Sequence, residues 1–298
     1  MTLLHRYRLT RSAADFATER HIETLLICFS AIVFVFFTTK DYIPMIARFF
    51  VPFLLVSLLT VPEMRSRAVL LFWINVGLAL NVVLNYYVIA NHGFMILYIG
   101  IALMIACSSE TRASVIVEMA AVLLLSILMG LALIQKLVST HYMSGSLIGT
   151  YLLNGHMFKT LISLVYPPWP QVVADNLSAQ QGLMGQAPSA RASVGVAVPA
   201  FVPVLALVLT WAALLSQATI EVFILLRSRF GLWTHWIIMA FVLIIYSTRN
   251  ENVFLSMNLI LGYAMTTENT KIARPWYVLG IAYLMIMEAM YLRPGILG

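Results

Sequence analysis

"VIVEMAAVLLLSILMGLALIQK", residues 115–136, carries one acidic residue, Glu118, and no further charge until Lys136. About 20 apolar residues are what an α-helix needs to cross the hydrocarbon core of a bilayer. Backbone polar groups in lipid must be satisfied internally, so such a segment crosses as a helix. The stretch therefore predicts a transmembrane helix and, with it, a helical membrane protein.

The composition of the whole chain supports this class. Of its 298 residues, 61% are hydrophobic and 10% are charged, whereas soluble domains hold roughly 45–50% apolar and about 25% charged residues. The formal charge of +6 does not indicate nucleic-acid binding, because basic residues in a membrane protein mainly set its orientation. Membrane lipid is therefore the first expected partner.

Cysteines and metal-ligand motifs give no sign of a metal site or a disulfide framework. Cys28 and Cys107 each lie inside an apolar segment, and no HExxH, paired CxxC or phosphate-loop motif occurs. Residues 1–21 are polar and carry four arginines without a signal-peptide core, so we expect a cytoplasmic segment followed by a retained anchor helix.

Apolar segments separated by polar residues predict nine transmembrane helices in one all-α membrane domain, 1–298. The predicted spans are 22–38, 43–61, 68–90, 94–107, 115–136, 199–226, 232–247, 253–266 and 276–290. Segment 147–165 is apolar but interrupted by Asn154, Gly155, His156 and Lys159, which predicts a re-entrant or interfacial helix. The two helix groups, 22–165 and 199–298, are joined by a long segment, 166–198.

The distribution of basic residues predicts the orientation. With nine spans and a cytoplasmic N-terminus, eleven Lys and Arg residues lie on the cytoplasmic side and six on the other. Basic residues accumulate in cytoplasmic loops, so the N-terminus is expected inside and the C-terminus outside a bacterial inner membrane. The cytoplasmic set is Arg6, Arg8, Arg11, Arg20, Arg65, Arg67, Arg112, Arg227, Arg229, Lys271 and Arg274.

Segment 166–198 is rich in Pro, Gly, Ser, Ala and Gln. Composition predicts a flexible non-cytoplasmic loop that begins with an extended "PPWP", in which Trp169 is an ordinary interfacial anchor. Such a loop could lie along a protein partner and become ordered there.

The position of Lys136 allows two interpretations. A lysine at a helix end snorkels, with its stem in the lipid boundary and its ammonium in water. A lysine desolvated inside the bundle has a lowered pKa and can serve as a general base. His92, in "VIANHGFMILYIG", is a turn residue by itself, but the predicted topology places it on the same side of the membrane as Lys136.

Other polar residues lie within the predicted spans. Glu221 either pairs across helices or takes up a proton. Asn75, Asn81 and Asn85 follow one helix at near-helical spacing, which is typical of hydrogen bonds between helices. Glu118 suits the first turn of its span.

Three stretches together resemble a family. They are "NHGFMILYIGIALMIA" at 91–106, "LIQKLVSTHYMSGSLIGTYLLNGHMF" at 133–158 and the long stretch from Ala218 to Met265 that holds Glu221, Asn250 and Phe254. Their order and spacing resemble the HTTM (horizontally transferred transmembrane) superfamily, which includes vitamin K-dependent gamma-glutamyl carboxylases. The resemblance covers roughly residues 60–265.

The resemblance implies a function. It assigns Lys136 as the base toward a reduced isoprenoid quinone, with His92 as its partner, in a pocket on the outer face. Asn91, Tyr151, Glu221 and Asn250 become candidate lining residues. The implied chemistry is a quinol-dependent modification of the carboxylase type.

Two other function classes stay open. One is a non-catalytic membrane subunit or scaffold that binds a partner through 166–198. The other is a transporter, although no inverted repeat is evident in the sequence.

Overall fold

A computed structural model describes residues 13–39, 43, 45–86, 91–109, 112–184, 195–248 and 251–290, with the backbone alone at 13–18, 46, 91–92 and 182–184. All regular elements in these ranges are helices, which confirms the all-α class. They are α1 Ala13–Thr39, α2 Met45–Thr60, α3 Met64–Leu84, α4 Asn91–Ser108, α5 Ala113–Val138, α6 Thr140–Met143, α7 Ser146–Leu153, α8 Lys159–Val165, α9 Trp169–Met184, α10 Phe201–Leu225, α11 Arg227–Phe230, α12 Leu232–Thr248, α13 Asn252–Ala264, a 3₁₀-helix Glu268–Ala273 and α14 Arg274–Ala289.

Within the described residues, four helical segments are long and apolar enough to cross a membrane: Glu19–Thr39, Met64–Leu84, Ala113–Val138 and Phe201–Leu225. At 1.5 Å per residue, helices of this length extend about 30–40 Å, which matches a bilayer core. Four other apolar segments fall below that length: Ala47–Thr60, Gly93–Ser108, Leu232–Thr248 and Asn252–Ala264. The structure thus has the helices of a membrane protein, and the nine-span topology stays a prediction.

The chain divides into two compact units. Unit 1 comprises Met1–Ser126, Ile224–Met239 and Asn252–Leu292, and unit 2 comprises Ile127–Phe223, Ala240–Glu251 and Arg293–Gly298.

The centre of unit 1 is α13. Every residue of this helix except Phe254 is buried, and it packs against α1, α4 and α14. Its 13 residues span only about 20 Å. A helix that is apolar on all sides and this short is typical of a protein core.

A histidine and a tyrosine connect three helices of unit 1. The Tyr277 hydroxyl lies 3.1 Å from Nδ1 of His235, and the His235 ring also bonds the backbone of Gly262. Tyr277 is completely buried and lies against Gly262, where a Cβ would stand 2.5 Å from Cε1 of the ring. The absence of a side chain at Gly262 therefore lets α14 approach α13.

Among the described residues, the asparagines in α3 and at its C-terminal end form none of the predicted hydrogen bonds between helices. Nδ2 of Asn85 donates to Oδ1 of Asn81 at 2.8 Å within the same helix. Asn75 is buried, and neither of its amide atoms has a hydrogen-bond partner among the described residues. Its Oδ1 lies against Gly100 of α4, so Asn75 contributes close packing between α3 and α4.

In unit 2, segment 147–165 is a broken helix, and the sequence explains the break. Gly155 has a φ of +69° and follows the end of α7. Its N–H bonds the carbonyl of Leu152, and the N–H of His156 bonds that of Tyr151. This is the Schellman arrangement that a glycine in the left-handed region allows. The chain restarts as α8 at Lys159.

Segment 166–198 differs from its prediction as an extended, flexible loop. Residues Trp169–Met184 form α9. Trp169 is completely buried beside Phe201, with ring centroids 5.9 Å apart, so it is a core residue and not an interfacial anchor. Its neighbours in the unit 2 core include Leu152, Ile162 and Val173.

Asn176 holds the end of this segment. Its Oδ1 accepts from the Ala197 N–H at 2.9 Å, and its Nδ2 donates to the Ala197 carbonyl at 3.1 Å. Asn176 is 1% exposed, and Nε2 of Gln180 donates to Oδ1 of Asn154 at 2.8 Å. The described part of 166–198 is therefore ordered against its own unit.

Candidate functional site

Lys136 lies in the last turn of α5, where the chain folds back on itself. Ser139 begins the next turn, and its hydroxyl accepts from the backbone N–H of Tyr142. The turn places Nζ of Lys136 5.4 Å from the centre of the Tyr142 ring. A cation within about 6 Å of an aromatic face is attracted to it, so this contact holds the head of the half-buried lysine against the ring.

Tyr142 is itself part of the core of unit 2 and is 6% exposed. Burial raises the pKa of its phenol, which keeps the hydroxyl protonated at neutral pH. Lys136 therefore meets a neutral ring face and no phenolate.

Unit 2 contains an apolar cavity of about 600 Å³ that is open on one side, where Val165 is 86% exposed. It lies between one face of α8 and the first turns of α10. Its lining residues are Phe158, Leu161, Ile162, Val165, Tyr166, Phe201, Leu205 and Leu209. On α10 the lining positions recur every four residues, so the cavity follows that helix for about 12 Å. Tyr166 supplies the one polar side-chain atom of this set.

Phe158, the N-cap residue of α8, has a φ of +52°. A bulky side chain in the left-handed region costs roughly 1–2 kcal/mol, and such strain tends to occur where geometry matters to function. Here the strained backbone directs a phenyl ring onto the cavity wall.

The predicted site residues are not all among the described side chains. Asn91 and His92 lie in the first turn of α4 in unit 1, where the structure describes only their backbone. Asn250 lies outside the described residues. Lys136, Tyr151 and Glu221 belong to unit 2. The pairing of His92 with Lys136 therefore stays a prediction.

Tyr151 is half-buried at the edge of the unit 2 core, with its ring 6.3 Å from that of His156. Glu221 is half-buried on α10, and its Oε2 has no hydrogen-bond partner among the described residues. Glu118 forms an ion pair with Arg227 at 3.6 Å within unit 1. For Oε2 of Glu221, the described residues supply no partner on another helix, so the choice between cross-helix pairing and proton uptake stays a prediction.

No group of three or more His, Cys, Asp or Glu side chains in the described ranges is placed to hold a metal ion. Comparison with protein-family models, curated proteins and solved structures gives no match.

Sequence reasoning missed the cavity and the role of Phe158. The cavity-lining residues on α8 recur at positions 158, 161, 162 and 165, which is the spacing of one helical face. That pattern was visible in the sequence. The sequence did not show which face of α10 completes the cavity. That face is determined by the path of the chain through α9, which decides which surface of α10 lies against α8.

Proposed function

We propose that this protein is an integral membrane protein, with nine spans and a cytoplasmic N-terminus in a bacterial inner membrane, that binds the hydrophobic chain of a lipid in unit 2. The chain is that of an isoprenoid quinone. The observation that carries the proposal is the 600 Å³ cavity between α8 and α10. Ligand pockets in proteins have volumes of roughly 300–1,000 Å³.

The chemistry of the wall favours a chain over a polar ligand. Seven of its eight lining side chains are wholly hydrocarbon, and Tyr166 adds a phenol. A polar ligand would lose its hydration there without hydrogen bonds in return. An apolar chain gains from burial and from contact with the rings of Phe158, Tyr166 and Phe201.

Unit 2 also offers a polar group for the head of such a lipid. Ile162 of the cavity wall and Tyr142 belong to the same hydrophobic core, and Lys136 lies over the Tyr142 ring. A quinone carbonyl accepts a hydrogen bond from an ammonium group, which is a charge-assisted contact. Lys136 is therefore the residue of unit 2 that we assign to the head group.

Photolabelling tests chain binding. A naphthoquinone with a diazirine on its farnesyl tail is expected to label α8 and the first half of α10 in the purified protein. Leu161→Trp should reduce this labelling about tenfold, because the larger ring narrows the cavity and a loss of about 1.4 kcal/mol is tenfold in affinity. Mass spectrometry of the digested protein gives the labelled residues.

The matched control is Leu207→Trp. Leu161 and Leu207 are both 42% exposed, but Leu207 does not line the cavity. Competition with unlabelled farnesyl naphthoquinone and with a straight-chain phospholipid distinguishes an isoprenoid site from an acyl site. Labelling that is equal in both variants and resists competition would contradict the proposal.

The second candidate is the quinol-dependent modification that the family resemblance implies, with Lys136 as base and His92 as its partner. It is favoured by the half-buried position of Lys136 in the same unit as the cavity. Purified protein with reduced naphthoquinone and oxygen should then form quinone epoxide, and Lys136→Ala should abolish it. Mass spectrometry of the extracted quinone measures the product.

Lys159→Ala is the control for that assay, because Lys159 is an exposed lysine of the same unit. If neither the wild type nor Lys159→Ala forms epoxide, the quinol-dependent activity is excluded. The function that then remains is that of a non-catalytic subunit. In that case the exposed face of α9, which includes Gln171, Asp175 and Ser178, is the surface of 166–198 that a protein partner would contact.

A further inference from the structure

Two oxygen atoms on one face of α10 lack hydrogen-bond donors. Gln217 is 8% exposed, and its Oε1 has no partner among the described residues. Oε2 of Glu221 is buried and also has none. Residues four apart on a helix lie on the same face, one turn from each other. Both atoms are acceptors when the carboxyl group is ionised, so neither can satisfy the other in that state.

Glu221 faces α5 at a glycine. A Cβ on Gly130 would lie 4.0 Å from Oε1 of Glu221, and both residues belong to unit 2. Gly130 thus places no side chain beside the carboxyl group, and both α5 and α10 are long enough to cross a membrane. An ionisable group at such a position is costly and is usually functional.

The basic and titratable groups of the neighbouring helices are engaged or distant. Arg227 pairs with Glu118. Lys136 lies six residues beyond Gly130 on α5, about 9 Å along its axis, with Nζ over Tyr142. Of the titratable side chains of α6 and α7, Tyr142 and Tyr151 belong to the part of unit 2 that packs against residues 202–214 of α10, about 10 Å or more before Glu221 along that helix.

We propose that Glu221 and Gln217 form an intramembrane proton-binding site. One proton added to the Glu221 carboxylate gives a neutral carboxylic acid. Its O–H becomes the donor that Oε1 of Gln217 lacks, and the same proton satisfies Oε2 of Glu221. When the proton is lost, the apolar surroundings again hold a negative charge and two acceptor atoms without donors. Proton relays through membranes use carboxyl groups in this way.

Carbodiimide labelling tests the site, since dicyclohexylcarbodiimide reacts with protonated carboxyl groups in apolar surroundings. In the full-length protein, Glu221 should be labelled at neutral pH while Glu118 is not. Gln217→Leu should move the pH midpoint of labelling down by about 0.5–1 unit, because the acid form loses a hydrogen bond of roughly 0.5–1.5 kcal/mol. The control Thr219→Val alters an exposed hydroxyl of the same helix and should leave the midpoint unchanged.

Infrared spectroscopy provides a second measurement that does not depend on reagent access. The wild-type minus Glu221→Gln difference spectrum should contain the C=O stretch of a carboxylic acid at neutral pH. Absence of this band would overturn the proposal. Protection of Glu221 from the reagent by sodium at constant pH would also overturn it, because that result would identify a metal cation as the ligand. An unchanged pH midpoint of labelling in Gln217→Leu would overturn it as well.

Discussion

Trp169→Ala is expected to reduce the free energy of unfolding of unit 2 by about 3–5 kcal/mol, which is the range for truncation of a buried tryptophan. The side chain is completely buried among residues of α7, α8, α9 and α10, so its removal leaves a cavity that these helices cannot all close. Thermal unfolding of the detergent-solubilised protein, followed by gel filtration of the heated samples, measures the loss.

Trp211→Ala is the matched control, because Trp211 lies on α10 with 48% of its surface exposed. Its replacement should change the midpoint only slightly. Trp169→Phe should fall between the two, since it keeps a ring and removes the indole N–H, which has no acceptor among the described residues. Equal midpoints for Trp169→Ala and Trp211→Ala would show that 169 is an interfacial anchor after all.

Gly262→Ala is expected to destabilise unit 1 by about 2–5 kcal/mol, from overpacking and from the loss of a buried hydrogen bond. The added methyl group would lie 2.5 Å from Cε1 and 2.7 Å from the hydroxyl oxygen of Tyr277. The ring can move away only by breaking its contact with His235. The same thermal assay measures the effect.

The control for this substitution is Gly149→Ala, where the new Cβ would meet Cβ of Ala206 at an ordinary 3.7 Å. A double variant gives the mechanism. If the clash is with Tyr277, Gly262→Ala combined with Tyr277→Leu should cost clearly less than the sum of the two single changes. Additive costs would assign the effect of Gly262→Ala to something other than this contact.

Hydrophobic segments in the sequence predicted the helices well, and polar composition predicted the connections poorly. Each of the nine predicted spans overlaps a helix of the structure, because the backbone of an apolar segment in lipid must satisfy its own hydrogen bonds, and a helix does so. Segment 166–198 was assigned from its Pro, Gly and Ser content. The buried positions of α9, namely Trp169, Val173 and Asn176, recur at helical spacing, and that periodicity was the better evidence.

The candidate site depends on contacts that sequence alone does not reveal. The placement of Lys136 over Tyr142 arises from the turn at Ser139, and the prediction treated the lysine only as snorkelling or as a desolvated base. A cation held on a ring face lies between these two cases. The missing donors at Gln217 and Glu221 could not be read from their spacing, because an i, i+4 pair of polar residues is usually satisfied locally or by solvent.

The burial of α13 has a consequence for biosynthesis. This helix packs against α1 and α4, yet about 200 residues of chain separate it from the end of α1. At roughly 5–20 residues per second, the ribosome supplies α13 on the order of 10–40 s after α1 has been made. During that interval the surfaces of α1 and α4 that will cover α13 are without it. Unit 1 therefore reaches its native packing only when about the last sixth of the chain has been made, and a nascent chain truncated before Asn252 is the form on which quality control would act.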